Sequence, residues 1–185
     1  VFESGENTFS NALDKYRLVP LGEWTPNLFG LRLPGLSAVG SLEAGDSSRL
    51  LSWNGPSLVG LICYEISNGK EVRNAVREGG EIILALSNLD PYPVLLQKQY
   101  LAIAQLRALE TSRDLISVAN TGPTALINRL GQIKLLLDPF ERDLVLFSSH
   151  LNSSKTAYVK YGDKPILLLL ILSFLGLLKC KQLRG

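Results

Sequence analysis

The sequence has no methionine, one histidine and two cysteines among its 185 residues. A disulfide framework needs more cysteines in a smaller domain, and a zinc site needs a cluster of cysteines and histidines. The sequence therefore gives no reason to expect a disulfide framework, a bound metal or a cofactor. A nucleophile paired with histidine would have to use His150. We predict instead that His150 lies on the surface, because residues 148–152 are mostly polar.

The charge is almost balanced, with 19 Lys and Arg residues against 17 Asp and Glu residues. A nucleic-acid-binding surface concentrates positive charge, so we expect no nucleic-acid partner. Hydrophobic residues make up 46% of the chain, which is high for a domain surrounded by water. This content directs attention to a membrane segment.

Hydrophobic periodicity predicts an α/β layered domain, because apolar runs that read as buried strands alternate with stretches of helical spacing. The predicted elements are strands over 57–62, 82–86 and 115–119, helices over 71–78 and 95–113, and a hairpin of 125–127 with 133–137. Pro20 and Pro26 bracket Gly22, which predicts a shaped loop. The Gly- and Pro-rich stretch after it carries apolar residues from Leu28 to Leu36, which need a partner surface such as lipid.

Residues 165–178 are almost entirely Leu and Ile. Fourteen helical residues extend about 21 Å, short of the hydrocarbon core of about 30 Å, and this length often indicates a core or interfacial helix. We nevertheless predict a membrane helix, because the run has no polar face and lysines flank it at 164 and 179. Residues 1–160 then form the catalytic part outside the cytoplasm, 161–164 a linker, and 179–185 a basic cytoplasmic tail.

Cys63 follows a predicted buried strand, at the end where α/β sheets place their sites. A free cysteine there is equally often a small buried hydrophobe. A nucleophilic thiol, with an ordinary pKa of about 8.5, needs a base or a positive neighbour to form the thiolate. Lys15 is a candidate for the positive neighbour, and Glu23 could hold it by a charge-assisted hydrogen bond. Taken singly, such charged residues are usually surface residues.

Several segments together carry a family resemblance. Residues 15–26 resemble the Lys-x-x-Leu-Val-Pro-Phe-Gly-Glu-x-x-Pro segment of apolipoprotein N-acyltransferases, which are membrane members of the nitrilase (carbon-nitrogen hydrolase) superfamily. Residues 60–65 resemble the nucleophile strand of that family. Residues 105–113 and 119–125 resemble its following helix and strand, and residues 156–163 resemble the segment before its last membrane helix.

The resemblance implies a role for each matching residue. Cys63 would be the nucleophile, and Lys15 would stabilise the thiolate and the oxyanion with help from the backbone N–H of Tyr64. Glu23 would hold Lys15 in place. Tyr64 and Glu65 would shape the substrate pocket. The implied fold is the C-terminal portion of a nitrilase-like α-β-β-α layered sandwich, followed by one membrane helix.

The chain departs from the family pattern at two points. The general-base glutamate of the family lies well upstream of the lysine motif, and Glu3 and Glu6 are too close to Lys15 to be it. Together with the missing methionine and signal peptide, this predicts a portion of a longer, multi-pass protein that is inactive alone. Residues 87–92 replace the Asn-Asp-x-Trp-Phe of many members, so the role of Tyr92 stays open.

The implied reaction takes an acyl chain from a phospholipid onto Cys63 as a thioester. The chain then passes to the free amine of the diacylglyceryl-cysteine at the N-terminus of an apolipoprotein. The implied location is the bacterial inner membrane, with the catalytic domain on the periplasmic side. Two alternatives remain: a soluble amidase of the same superfamily, which predicts that 165–178 packs on the domain, and an inactive membrane-anchored fragment.

Overall fold

The computed structural model describes residues 12–25, 42–52, 55–140 and 143–182. The predicted apolar loop from Leu28 to Leu36 lies outside these residues. The described strands are β1 Leu50–Ser52, β2 Ser57–Ile62, β3 Ile82–Ser87, β4 Leu115–Ala119, β5 Thr124–Ile127 and β6 Ile133–Leu137. The described helices are α1 Gly69–Arg77, α2 Val94–Thr111, α3 Ala157–Tyr161 and α4 Lys164–Gln182, and a 3₁₀ turn covers Cys63–Ser67.

The strands form one mixed sheet in the order β1-β2-β3-β4-β5-β6. Strands β2, β3 and β4 run parallel, whereas β1, β5 and β6 each join their neighbours antiparallel. The three central strands and the hairpin of β5 with β6 confirm the sequence prediction. Strand β1 was not predicted, because three residues are too few to show a period of two.

The core forms where one face of the sheet meets the helices. Val59, Ile83, Leu115 and Ile127 are register partners across four neighbouring strands, and all four side chains are fully buried. Helices α1 and α2 cover this row together with a single residue of α3, Val159. Burying one such aliphatic side chain contributes about 1.5–3 kcal/mol. The row therefore fixes the register of the strands, and with it the edge at which the parallel strands end together.

Helix α2 confirms the predicted 95–113 helix and ends at Ser112, whose left-handed φ of 53° closes it. The next residue, Arg113, is almost completely buried, and burial lowers the pKa of its guanidinium. Its nitrogens donate to the carbonyl oxygens of Gly80 and Ser154, each at 2.7 Å. A buried cation satisfied by carbonyl oxygens thus ties the segment before α3 to the sheet.

Two helices end the described chain. Thr156 caps α3 by accepting from the Val159 N–H at 3.1 Å, and Gly162 ends α3 with a φ of 60°. Helix α4 confirms the prediction that residues 165–178 are helical, and it extends four residues further. The predicted membrane crossing is not shown: in the part of the chain that the structure describes, no helix combines the length and apolar content that a crossing requires.

Candidate active site

Polar side chains gather at the carboxyl ends of the three parallel strands, which is where α/β sheets place their sites. Cys63 follows β2, Asn88 follows β3 and Asn120 follows β4. The Asn120 amide donates to Asn88 Oδ1 at 2.8 Å, and Asn120 Oδ1 accepts from the Leu89 N–H at 3.0 Å. These hydrogen bonds hold together the loops that follow β3 and β4, beside Cys63.

Cys63 has a strained backbone. Its φ is 51°, in the left-handed region that favours glycine, at the junction between β2 and the 3₁₀ turn. A non-glycine residue there costs roughly 1 kcal/mol or more, and such strain is common at functional sites. A sharp turn from a strand into a helix is also how α/β-hydrolase folds present a nucleophile above the sheet. The thiol is free and partly exposed, so it is open to a substrate.

A cavity of about 730 Å³ opens in front of Cys63. Lys15 and Glu23 line the same cavity, so the structure brings together the three residues that the resemblance assigns to catalysis. The rest of the lining is largely apolar. It consists of Val19, Gly22, Ile62, Leu86, Ser87, Asn88, Pro91, Tyr92, Val118, Ala119 and Asn120.

Lys15 and Glu23 form an ion pair across the loop between them. Lys15 Nζ lies 2.5 Å from Glu23 Oε1, and Glu23 Oε2 accepts from the Val19 N–H at 2.8 Å. The two side chains are 15% and 21% exposed, so water screens this pair less than it screens a surface pair. The predicted shaped loop is confirmed, since the Leu21 N–H donates to the Trp24 carbonyl. The loop thereby holds the ammonium group at the cavity wall.

Glu65 lies behind the site and is not part of the cavity lining. Its side chain is 3% exposed and pairs with Arg49 at 2.9 Å. The same carboxylate accepts from the N–H groups of Tyr16 at 2.6 Å, Arg17 at 3.1 Å and Ile62 at 2.8 Å. Glu65 therefore joins the residues that follow Lys15 to the residue that precedes Cys63, and its carboxylate faces the protein interior.

The neighbouring Tyr64 is also outside the cavity lining. The Arg17 guanidinium lies over its ring, 5.0 Å from the centroid, which is within the range of a cation–π contact. Its side chain therefore packs on the loop that carries Lys15.

Two tyrosines, Tyr100 in α2 and Tyr92 in the loop before it, lie beside each other, and Tyr92 lines the cavity. The rings of Tyr92 and Tyr100 lie 6.0 Å apart between centroids. Burial raises the pKa of Tyr92, and nearby Cys63 and Glu23 raise it further. Burial also raises the pKa of Tyr100, and nearby Cys63 raises it further. The Tyr100 ring packs against the buried core.

The His150 side chain lies exposed on the protein surface. Its imidazole is 84% exposed, and Nδ1 lies 3.7 Å from Asp114 Oδ2, while its backbone N–H donates to the same oxygen at 2.8 Å. This exposure confirms that His150 is a surface histidine. Across residues 12–25, 42–52, 55–140 and 143–182, no group of three or more His, Cys, Asp and Glu side chains could hold a metal ion.

Comparison with known proteins agrees with the resemblance. The carbon-nitrogen hydrolase family model matches residues 1–157. The chain is 47% identical over 183 residues to an apolipoprotein N-acyltransferase of Prochlorococcus marinus strain SARG, covering 98% of this chain and 37% of that protein. It is 48% identical over 177 residues to the enzyme of the same name from strain MIT 9313, covering 96% and 36%. The chain thus spans little more than a third of these relatives.

A solved structure is similar at lower identity. It is a mutant of the Nesterenkonia AN1 amidase from the nitrilase superfamily, 20% identical, with a TM-score of 0.46. The match covers 55% of this chain and 41% of the amidase chain. The resemblance to apolipoprotein N-acyltransferases is confirmed by the curated relatives.

Replacing Glu65 by Gln should lower the free energy of unfolding by about 3–5 kcal/mol, because Arg49 is then left as a buried charge without a counter-ion. The measurement is urea unfolding followed by circular dichroism. Adding Arg49→Met should cost less than the sum of the two single changes, since the pair is lost only once. Glu78→Gln, on an exposed position, is the matched control. Additive effects of the two changes at 65 and 49 would contradict the prediction.

Proposed function

Because the chain belongs to the carbon-nitrogen hydrolase family, we propose that it forms the nucleophile half of an N-acyltransferase site. In this proposal an acyl chain passes from a phospholipid to Cys63 and then to the amine of a diacylglyceryl-cysteine on an apolipoprotein. The observation that carries the proposal is the shared cavity: Cys63, Lys15 and Glu23 line one largely apolar space. The name of the relatives supplies the lipoprotein acceptor.

The first half-reaction attaches the acyl chain. The Cys63 thiolate attacks the ester carbonyl carbon of the phospholipid, and the carbonyl oxygen gains negative charge. The Lys15 ammonium and the Tyr64 N–H stabilise this oxyanion, and Glu23 keeps Lys15 in position. The ester C–O bond then breaks, the lysophospholipid leaves with a proton, and a thioester remains on the sulfur.

The second half-reaction transfers the acyl chain to nitrogen. The free amine of the acceptor attacks the thioester carbonyl, the C–S bond breaks, an amide forms, and the surplus proton of the nitrogen goes to a base. The apolar lining favours transfer over hydrolysis, because it admits acyl chains and disfavours water. Leu86 and Val118 contribute to this lining from β3 and β4.

In the proposed mechanism, the proton acceptor is not one of the described residues that line the cavity. Within the described part of the cavity lining, the one carboxylate is Glu23, and both of its oxygens are already engaged by Lys15 and Val19. A proton on Glu23 would therefore disrupt one of these two contacts. We therefore assign the general base to the upstream glutamate that the family resemblance implies, supplied by another part of the full-length enzyme.

The proposed phospholipid donor requires contact with a lipid bilayer. Helix α4 supports such contact, since its Leu and Ile side chains are exposed on all sides, from Leu178 at 47% to Leu177 at 70%. An exposed apolar surface of this extent marks a site of membrane or protein contact. We assign this helix to a bacterial inner membrane, with the catalytic part on the periplasmic side.

Cys63→Ala should abolish both the acyl-enzyme and the transfer. The assay uses the chain in place of the matching third of the Prochlorococcus relative, with a labelled phospholipid and a diacylglyceryl peptide. A label on the wild-type protein that hydroxylamine releases indicates the thioester. Cys180→Ser is the matched control and should keep it. Peptide acylation by Cys63→Ala would refute the proposal, and release of free fatty acid without acylation would indicate a hydrolase.

Lys15→Met should lower the rate of transfer by at least about 10², the usual effect of losing one group that stabilises an oxyanion. Glu23→Gln should also slow transfer, because Lys15 loses its ion-pair partner while the side chain keeps its size. Lys98→Met, on the exposed side of α2, provides the control for removing a lysine. Single-turnover rates of thioester formation measure the effect. A wild-type rate in Lys15→Met would show that Lys15 is only a charge beside the site.

Membrane association through α4 should depend on its apolar surface. Changing Leu168 and Leu172 to Lys should move the chain from the carbonate-resistant membrane fraction to the supernatant, because each buried lysine opposes contact with acyl chains. Lysine at Leu144 and Leu146, which are 86% and 93% exposed outside this helix, is the matched control. Equal loss in both pairs, or retention of the α4 variant in the membrane, would contradict the assignment.

A further inference from the structure

A short segment, residues 42–46, holds the main chain of both members of the Lys15–Glu23 ion pair. The Leu42 N–H donates to the Glu23 carbonyl oxygen, and the Gly45 N–H donates to the Lys15 carbonyl oxygen, each at 2.9 Å. The two residues whose side chains pair are therefore also joined through their backbones by this bracing segment. None of its residues lines the cavity, so the bracing segment affects a substrate only through the residues that it contacts.

Gly45 lies so close to the residue before Lys15 that a larger side chain does not fit without a shift. A Cβ atom at Gly45 would lie 2.4 Å from the Asp14 Cβ and 3.1 Å from the Asp14 carbonyl carbon. The Asp14 Cβ is fixed to its own backbone, so it cannot rotate away as the end of a long side chain can. The φ of Gly45 is outside the left-handed region, so this position requires glycine for space and not for backbone conformation.

The other end of the bracing segment is tied to the buried carboxylate of Glu65. The Arg49 guanidinium donates to the Asp46 carbonyl oxygen and pairs with Glu65 at 2.9 Å. Glu65 also accepts from the N–H of the residue that follows Lys15, at 2.6 Å. The Arg49 and Glu65 side chains are 2% and 3% exposed, so this side of the segment has little room to move. A shift caused at Gly45 would therefore fall on the more exposed residues before and at Lys15.

We propose that Gly45 is a positioning residue for Lys15. Its missing side chain lets the bracing segment approach closely enough to fix the Lys15 carbonyl, and with it the ammonium group at the cavity wall. The inference rests on the proposed function, in which Lys15 stabilises the oxyanion that forms at Cys63. Electrostatic stabilisation depends on where the donor lies, so a displacement of about 1 Å lowers the rate although no catalytic group is lost.

Gly45→Ala should slow thioester formation by about tenfold or more, and by no more than Lys15→Met does. The measurement is the single-turnover rate per folded protein, with the chain in place of the matching third of the Prochlorococcus relative. In a Lys15→Met background Gly45→Ala should have no further effect, because the displaced group is already absent. A wild-type rate in Gly45→Ala, or a full second loss on top of Lys15→Met, would overturn the proposal.

Gly80→Ala is the matched control for the substitution itself. Its Cβ would lie 2.2 Å from Val59 Cγ2, a similarly close contact, at a position before β3 that does not line the cavity. Gly80→Ala should therefore lower stability but keep the rate per folded protein. An equal loss of rate in Gly80→Ala and Gly45→Ala would show that the effect is general and not specific to Lys15.

A second change at Asp14 separates displacement from poor folding. Asp14→Gly removes the Cβ atom that Gly45→Ala would strike, and Asp14 is exposed, so this change alone should cost little. Combined with Gly45→Ala, it should restore most of the lost rate. Asp14→Asn removes the same charge but keeps the Cβ atom, so it should restore nothing. Failure of Asp14→Gly to restore the rate, or equal recovery with Asp14→Asn, would refute the contact as the cause.

Acetylation of Lys15 by acetic anhydride measures its position without any acyl transfer from lipid. The Lys15 side chain is 15% exposed and paired, so in the wild type it should react slowly relative to the exposed Lys98. Gly45→Ala should raise this ratio severalfold, as measured by mass spectrometry of the digested protein. An unchanged ratio would show that Lys15 has not moved.

The two proposals therefore fail separately. If Cys63→Ala still acylates the peptide, the assignment of the nucleophile is wrong, and the acetylation ratio still tests Gly45. If the thioester forms on Cys63 but Gly45→Ala matches the wild type in both rate and acetylation ratio, only the role of Gly45 is wrong.

Discussion

The buried carboxylate of Glu65 is the interaction on which the geometry of the site depends. It accepts hydrogen bonds from Arg49 and from three backbone N–H groups, at Tyr16, Arg17 and Ile62. These partners come from three separate segments that meet only in the folded chain. A buried carboxylate without them would cost several kcal/mol, so each segment stabilises the position of the others through this carboxylate. Lys15 and Cys63 are each next to one of these partners, and their placement follows from this constraint.

The sheet supplies the second part of the frame. Its buried row from Val59 to Ile127 sets the register of four strands, and the parallel strands among them end at the cavity. The amide contact of Asn88 with Asn120 joins the ends of β3 and β4. Apolar packing thus determines where the carboxyl ends of the parallel strands lie, whereas the polar contacts determine how the loops after them are arranged. The cavity is wide and mostly apolar because these few polar contacts lie at its margins.

Sequence patterns predicted the regular elements because burial imposes periodicity. Strands 57–62 and 115–119 have the predicted bounds, and α2 agrees within two residues at each end. Strand β1 gave no signal because its place depends on pairing with β2 and not on a pattern of its own. The grouping of Lys15, Glu23 and Cys63 followed from motif resemblance, since no local pattern relates residues 48 positions apart.

Other features of the site depend on side-chain direction, which spacing alone does not give. Glu65 follows the nucleophile in a motif that suggested a pocket residue, yet the 3₁₀ turn directs its carboxylate inward to Arg49. Tyr64 follows the nucleophile directly, yet its ring packs against the Arg17 guanidinium. In both cases the decisive fact is the direction in which the side chain leaves the 3₁₀ turn, toward a partner that is distant in sequence.

The left-handed backbone at Cys63 has a consequence for how this sequence can change. Glycine is the residue that this conformation favours, and it would relieve the strain while removing the sulfur. The residue that is most stable at this position is therefore not the reactive one. A mutation that stabilises the backbone there removes the nucleophile. A lineage released from selection for catalysis would be expected to accumulate glycine at this position early. The identity of this residue in relatives would then indicate whether each of them has kept its nucleophile or only its fold.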